Sequence, residues 1–378
     1  MAKITPAQSF EMIDAAMKRL LYLEDDPLFT RIAFASFAAN RYPGGKAWLM
    51  IVGGPSTGKS EHIDMFEGCS TALPFSECSE KGFVSASNPE ESLLSPRINN
   101  KVLMVSDMST ITAGRPDEVN KIYGILRWVF DGKYRRQTGS GKMLEWTGKV
   151  GFIAAATPAI DKIRSFQGEL GERFIHIRPR SFQPELVMDR AYKMEKRYAR
   201  QKADIASMVS LFIEAYQPSG GVAYKSVVEA LKRAAQAMAR GRATVPRDRF
   251  TKEIDGRPSI ESPVRIMKQL QYIAYVLQDI GTNKTIQRHI MLRFIYDALP
   301  SNRRAILNTI CHSRKKGVLA GEVRDHTEIG NSTVRRAIED MKILGIIRQD
   351  ADNTLTMKDE HITKAVRKWG TYNVHHWT

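Results

Sequence analysis

Residues 53–60 read Gly-Gly-Pro-Ser-Thr-Gly-Lys-Ser, an octet of the form G-x-x-x-x-G-K-[ST], and no other stretch constrains the fold as tightly. A loop of this kind curls its backbone so that successive N–H groups face a polyphosphate. That curl is why Gly53 and Gly58 carry no side chain. Gly54, Pro55, Ser56 and Thr57 complete the cradle. Lys59 reaches the outer phosphates and the Ser60 hydroxyl can ligate a magnesium ion. The flanks agree. Residues 47–52 are a continuous apolar run of strand length, and Ile63, Phe66 and Glu67 continue in a helix-compatible stretch. The octet therefore predicts strand, phosphate loop and helix in succession, with ATP and Mg²⁺ as the ligands.

Charge narrows the partners. Fifty-seven Lys and Arg stand against 41 Asp and Glu in 378 residues, a net +16. Such an excess favours a polyanion, nucleic acid or an anionic membrane surface. No apolar run approaches the ~20 residues of a membrane helix. The first residues lack the apolar core of a secretory leader. Cys69, Cys78 and Cys311 form no CxxC pair and no ligand set with histidine, as expected of reduced thiols in a cytoplasmic protein.

Organisation follows from periodicity. Residues 1–44 read as a helical segment, with Phe10, Ile13, Ala16, Met17, Leu20 and Leu21 at helical spacing and a second helix over 32–39. Pro43-Gly44-Gly45 ends it. From 45 to 182 apolar runs at 47–52, 102–105, 150–156 and 174–177 alternate with helices, which predicts an α/β layer around a parallel sheet. Residues 183–299 lose the strands and become helical and basic. A compact module spans 300–360, and 361–378 is a basic, aromatic tail.

A phosphate loop needs an acid at the end of a neighbouring strand. Residues 102–105 are that strand and Ser106-Asp107 follow. Many ATPases with such a loop carry Asp-Glu there. Here the first position is serine, so Asp107 is either the magnesium-linked acid or the base that orients water. The next strand ends at Thr157, a hydroxyl placed to sense the γ-phosphate. Arg173, between a Gly-flanked segment and the strand at 174–177, suits a guanidinium offered to a neighbouring subunit's γ-phosphate.

These elements, in this order, resemble the AAA+ ATPases. Residues 131–149 sharpen the resemblance. They look like a β-hairpin inserted before the strand that ends at Thr157, with Lys133, Arg135, Arg136 and Lys142 flanking a Thr-Gly-Ser-Gly tip. Minichromosome-maintenance and superfamily-three viral helicases carry such a hairpin into a central channel. The resemblance implies an AAA+ P-loop core, a helical lid with Arg265 touching nucleotide, and a homo-oligomer, hexameric by analogy. It implies a DNA translocase or helicase for replication of a phage or mobile element. No OB-fold or primase region precedes the core, so a replication partner supplying an N-terminal DNA-binding or primase function is expected. Two other functions stay open: an initiator or loader that uses ATP as an assembly switch on DNA, and a protein remodeller.

The module at 300–360 reads as a winged helix-turn-helix. A helix over 301–313 and a short one over 320–327 precede a turn at 328–330. Asn331 is expected to cap a third helix with the inward stripe Val334, Ala337, Ile338, Met341 and Leu344. Gly345 ends it, and 346–357 form a hairpin. In such a motif Asn331, Ser332, Thr333, Arg335 and Arg336 meet the DNA major groove.

Overall fold

Trp48–Val52 (β1) is buried at every residue, so both of its faces must be covered, and it lies inside a parallel sheet. The computed structural model describes residues 4–21, 23, 26–76, 80–83, 92, 95–108, 115–137, 141, 143–161, 172–180, 184–221, 223–248 and 250–370. The chain is mixed α/β, and it divides into two units.

The first unit holds residues 1–160, 173–223 and 269–283. Its sheet adds Ala72–Pro74 (β2), Val102–Val105 (β3), Gly151–Ala156 (β6) and Ile175–Ile177 (β7) in the order β2-β3-β6-β1-β7, all parallel. Lys133–Gln137 (β4) and Met143–Thr147 (β5) form a separate antiparallel hairpin. The expected strands are present, 102–105 with the same bounds and the other three one residue shorter at the start. β2 is a strand that the apolar pattern did not announce.

Helices Pro6–Leu20 (α1), Phe29–Ala38 (α2), Lys59–Asp64 (α3), Glu80–Phe83 (α4), Pro116–Asp131 (α5), Pro184–Met194 (α6) and Tyr198–Ala215 (α7) belong to this unit. α1 starts where Thr5 and Gln8 cap each other, Gln8 N–H to Thr5 Oγ1 at 3.2 Å and Thr5 N–H to Gln8 Oε1 at 2.9 Å. Two sets of rings fill the core. Phe37 stacks on Phe66 at 4.0 Å and Phe34 meets Phe212 edge-on at 4.9 Å. Trp48 lies 5.2 Å from each of Phe130, Phe152 and Phe174.

The second unit holds residues 161–172, 224–268 and 284–378. The stretch 183–299 is thus shared between the units. Val264–Asp279 (α9) starts in the second unit and from Gln269 onward counts with the first. In the second unit Lys225–Arg242 (α8) packs on Lys284–Ala298 (α10). There follow Ser301–His312 (α11), Ala320–Thr327 (α12), Asn331–Ile343 (α13), the hairpin Ile347–Gln349 (β8) and Leu355–Met357 (β9), and Glu360–Trp369 (α14). An isolated antiparallel bridge ties Val318 to Leu355 of the hairpin.

Two expectations change here. Gly330 takes the cap position of α13 with φ −55° and ψ 139°, and Asn331 is its first helical residue, with no side-chain cap. Residues 360–369 are a packed helix, not a tail. Asp359 caps it by accepting from the N–H groups of His361 and Ile362 at 3.0 and 2.9 Å. Ile362, Ala365, Val366 and Trp369 then form a buried stripe at helical spacing.

Candidate functional site

The phosphate-loop octet leaves β1 at the carboxyl edge of the sheet. Gly58 adopts φ +72° and Ser56 φ +58°, a tight curl with left-handed steps. A Cβ on Gly53 would lie 2.8 Å from Thr57 Oγ1 and would push that hydroxyl off its present position. Thr57 Oγ1 donates to the Gly54 carbonyl at 2.9 Å, and the Lys59 ammonium donates to that same carbonyl. Ser60 is exposed at the start of α3.

Two further loops meet the octet at this edge. The Gly53 N–H donates to the Ala156 carbonyl at 3.0 Å, which sets Thr157 directly beside the loop. The Met108 N–H donates to the Ala155 carbonyl at 2.7 Å, which draws Ser106-Asp107 to the end of the same strand. Asp107 is exposed, Thr157 half-buried. Burial pushes the Lys59 ammonium below its ordinary value, and the Asp107 and Glu61 carboxylates oppose that push. Lysine and acid therefore share one electrostatic environment. The arrangement can bind a polyanion and place a carboxylate and a hydroxyl next to it.

Residues outside the motif hold the loop in place. His62 is fully buried, stacks on Phe29 at 3.8 Å, and has its ring nitrogens 2.7 Å from the Gly58 carbonyl and 3.1 Å from Thr30 Oγ1. Tyr198 donates to Glu61 at 2.8 Å and Lys202 to Asp64 at 2.6 Å, which fastens α7 to α3. Arg178 and Arg180, 5% and 3% exposed, follow β7 at this same edge, and Asp26 accepts the Arg180 N–H at 3.0 Å. Sequence reasoning missed these residues. The run Arg-Pro-Arg straight after an apolar strand was the available signal.

Arg173 lies elsewhere. β7 pairs Ile175 with Leu49, so Arg173 stands beyond the amino edge of the sheet, and the four steps from Leu49 to Gly53 alone span roughly 13 Å. Its side chain is 10% exposed, sits 3.6 Å from Asp131 and lies over the Phe130 ring at 5.7 Å. Within one chain it does not meet the phosphate loop. Arg265 belongs to the second unit and lies 3.5 Å from Glu261, which also takes Arg242 at 2.6 Å.

The β4–β5 hairpin is present, with Lys142 and much of its tip outside the described residues. Lys133, Arg135 and Arg136 are exposed, but Arg135 pairs across the ribbon with Glu145 at 3.4 Å. The ribbon is not bare of core: Tyr134, Leu144 and Trp146 are buried. Trp128, five residues before the first residue of β4, is 60% exposed and adds an aromatic ring that the sequence reading did not single out. On α13, Asn331, Ser332, Thr333 and Arg335 are exposed and Arg336 is half-buried.

Among the described residues no cluster of His, Cys, Asp and Glu could hold a metal by itself, and no helix is long and apolar enough to cross a membrane. No protein-family model matches the chain, and no curated protein matches it.

Proposed function

We propose that the chain is an AAA+ type ATPase that works as an oligomer on DNA, with a winged helix in its second unit. The observation that carries this reading is the meeting of three loops at one sheet edge. The octet, Ser106-Asp107 and Thr157 follow β1, β3 and β6, which are neighbours in the order β3-β6-β1. That order puts the strand ending at Thr157 between the other two, so a triphosphate on the octet faces both the acid and the hydroxyl. Lys59 would hold the outer phosphates and Ser60 with Asp107 a magnesium ion. The ion would neutralise charge that develops on the transferred phosphoryl group.

The hairpin supports a translocase. β5 runs through Gly148-Lys149-Val150 straight into β6, so the strand that ends beside the phosphate loop is continuous with the basic ribbon. Movement at Thr157 has a short covalent route to Lys133, Arg135 and Arg136. Contacts of these side chains to phosphates are blind to sequence and weaken with salt. Helicase activity in replication of a phage or mobile element follows from the resemblance in the core.

The hold of Asp131 on Arg173 favours a second reading. An arginine kept by its own chain suits an initiator or loader that turns over slowly until assembly frees it. The test is ATP hydrolysis with and without DNA at low salt, alongside strand displacement. Fast DNA-stimulated turnover with unwinding supports the translocase, and tight ATP-dependent duplex binding without unwinding supports the initiator. Turnover indifferent to DNA removes both.

A further inference from the structure

Phe250 is 86% exposed at the tip of a turn that is anything but loose. Asp248 Oδ1 accepts from the N–H groups of Phe250 and Thr251 at 2.7 and 2.6 Å and from Thr251 Oγ1 at 3.1 Å. These donors hold its carboxyl below the ordinary range. The Asp248 N–H donates to the Glu253 carbonyl at 2.9 Å and the Lys252 N–H to the Asp248 carbonyl at 3.1 Å. A bridge between Arg247 and Ile254 closes the stem. The backbone that carries the ring is therefore held, and binding has only the two side-chain torsions of Phe250 left to order.

The stem is bolted to α13. Arg247 donates to Asp340 at 2.7 Å, to Glu339 at 3.0 Å and to the Arg336 carbonyl at 3.2 Å. Arg303 lies 3.5 Å from the same Asp340 and donates to the Gly241 and Ala243 carbonyls at 2.9 and 2.8 Å, which braces the joint from behind. Phe250 is three residues from Arg247, so its Cα lies within about 10 Å of the Arg247 Cα. The ring is carried beside the helix that displays Ser332, Thr333, Arg335 and Arg336.

We propose that Phe250 is a DNA contact: its ring packs on the sugar of a duplex lying along α13, or on the face of a base that has left the stack. This rests on the DNA reading given above. The charges around the turn set the kind of contact. Lys252 and Arg257 are exposed, and so are Glu253 and Asp255. Signs nearly balance, so the turn gains little from phosphates and its contribution comes from the ring, which sugars and any unstacked base can accept. Arg335 and Arg336 supply the charge.

The experiment uses the full chain and fluorescein-labelled duplex and single-stranded oligonucleotides over a salt series. Phe250→Ala is expected to weaken binding roughly tenfold, the scale of one lost stacking partner, with the salt slope unchanged. Arg335→Ala is expected to lower that slope by about 1. Phe250→Trp should keep the affinity, and its indole emission should change on adding DNA. Equal binding by wild type and Phe250→Ala overturns the proposal while leaving the DNA reading intact. A changed sedimentation coefficient in Phe250→Ala with unchanged DNA affinity also overturns it, and assigns the ring to a contact between copies of the chain. Wild-type protein that binds no DNA at low salt removes both readings together.

Discussion

Gly132 and Gly148 meet backbone to backbone at the root of the β4–β5 hairpin, the Gly148 N–H donating to the Gly132 carbonyl at 3.1 Å. Gly132 has φ +83°, and a Cβ on it would lie 2.8 Å from the Gly148 carbonyl oxygen. A Cβ on Gly148 would lie 1.7 Å from Asn99 Oδ1. At Gly132 the obstacle is backbone and cannot turn aside, whereas at Gly148 the side chains of Asn99 and Trp146 would have to shift. Gly132→Ala is expected to cost about 1–3 kcal/mol, from left-handed backbone and overpacking together, read as a lower urea midpoint. If the hairpin transmits nucleotide state to DNA, the same variant loses DNA stimulation of ATPase while basal hydrolysis falls less.

Lys59→Ala removes the only ammonium of the octet. Its partner in the fold is a loop carbonyl, and it stands partly open to water, so the fold should survive its loss. ATP turnover is expected to drop by about 10²- to 10³-fold, the effect of deleting one donor to transition-state charge. Turnover within twofold of wild type would dismiss the octet as the reaction site.

Lys149 gives a pH test. It donates to the Asn40 and Tyr42 carbonyls at 2.6 and 2.9 Å in half-buried surroundings. Burial, with Arg41 and Lys46 nearby, pushes its ammonium from 10.5 down to about 8. Below pH 8 both folded and unfolded chains carry the proton, and the slope of stability against pH from this group is zero. Between pH 8 and 10.5 the unfolded chain holds the proton and the folded chain has lost it, so stability rises with pH. Lys149→Met abolishes that rise. The stability of wild type relative to the variant is expected to climb between pH 8 and 10, measured by urea unfolding at each pH, and a flat difference would contradict the assignment.

The sheet was legible because Trp48–Val52, Val102–Val105 and the run at 150–156 are apolar throughout, the mark of strands covered on both faces. Ala72–Pro74 was not, since a three-residue edge strand ending in proline carries no periodicity. The octet and Thr157 were recognisable from residue type and order alone. The elements that steady the octet were not, because His62, Asp26 and Tyr198 look ordinary in sequence and acquire their roles only when α2 and α7 fold against α3. Arg173 shows the opposite limit. Its position before β7 was readable, but the carboxylate that holds it, Asp131, is 42 residues earlier and reaches it through the tertiary fold.

Arg173 and Asp131 also allow the proposed shared site to be tested by mixing. Asp131 is 48% exposed, so removing its partner leaves a carboxylate that water can solvate, and Arg173→Ala should cost little stability from the lost ion pair. If Arg173 serves a neighbouring chain's triphosphate, the variant binds ATP as wild type does and loses turnover by about 10³-fold or more. Lys59→Ala is expected to lose turnover for a different reason. In a mixture of the two variants some seams join a chain with intact Lys59 to a neighbour with intact Arg173. Turnover is then expected to reappear in the mixture although neither component has it. Asp131→Asn, which loosens the hold on Arg173, should keep or raise wild-type turnover. A mixture as inactive as its parts, with the chains shown to co-assemble, would confine Arg173 to packing against Phe130 and Asp131.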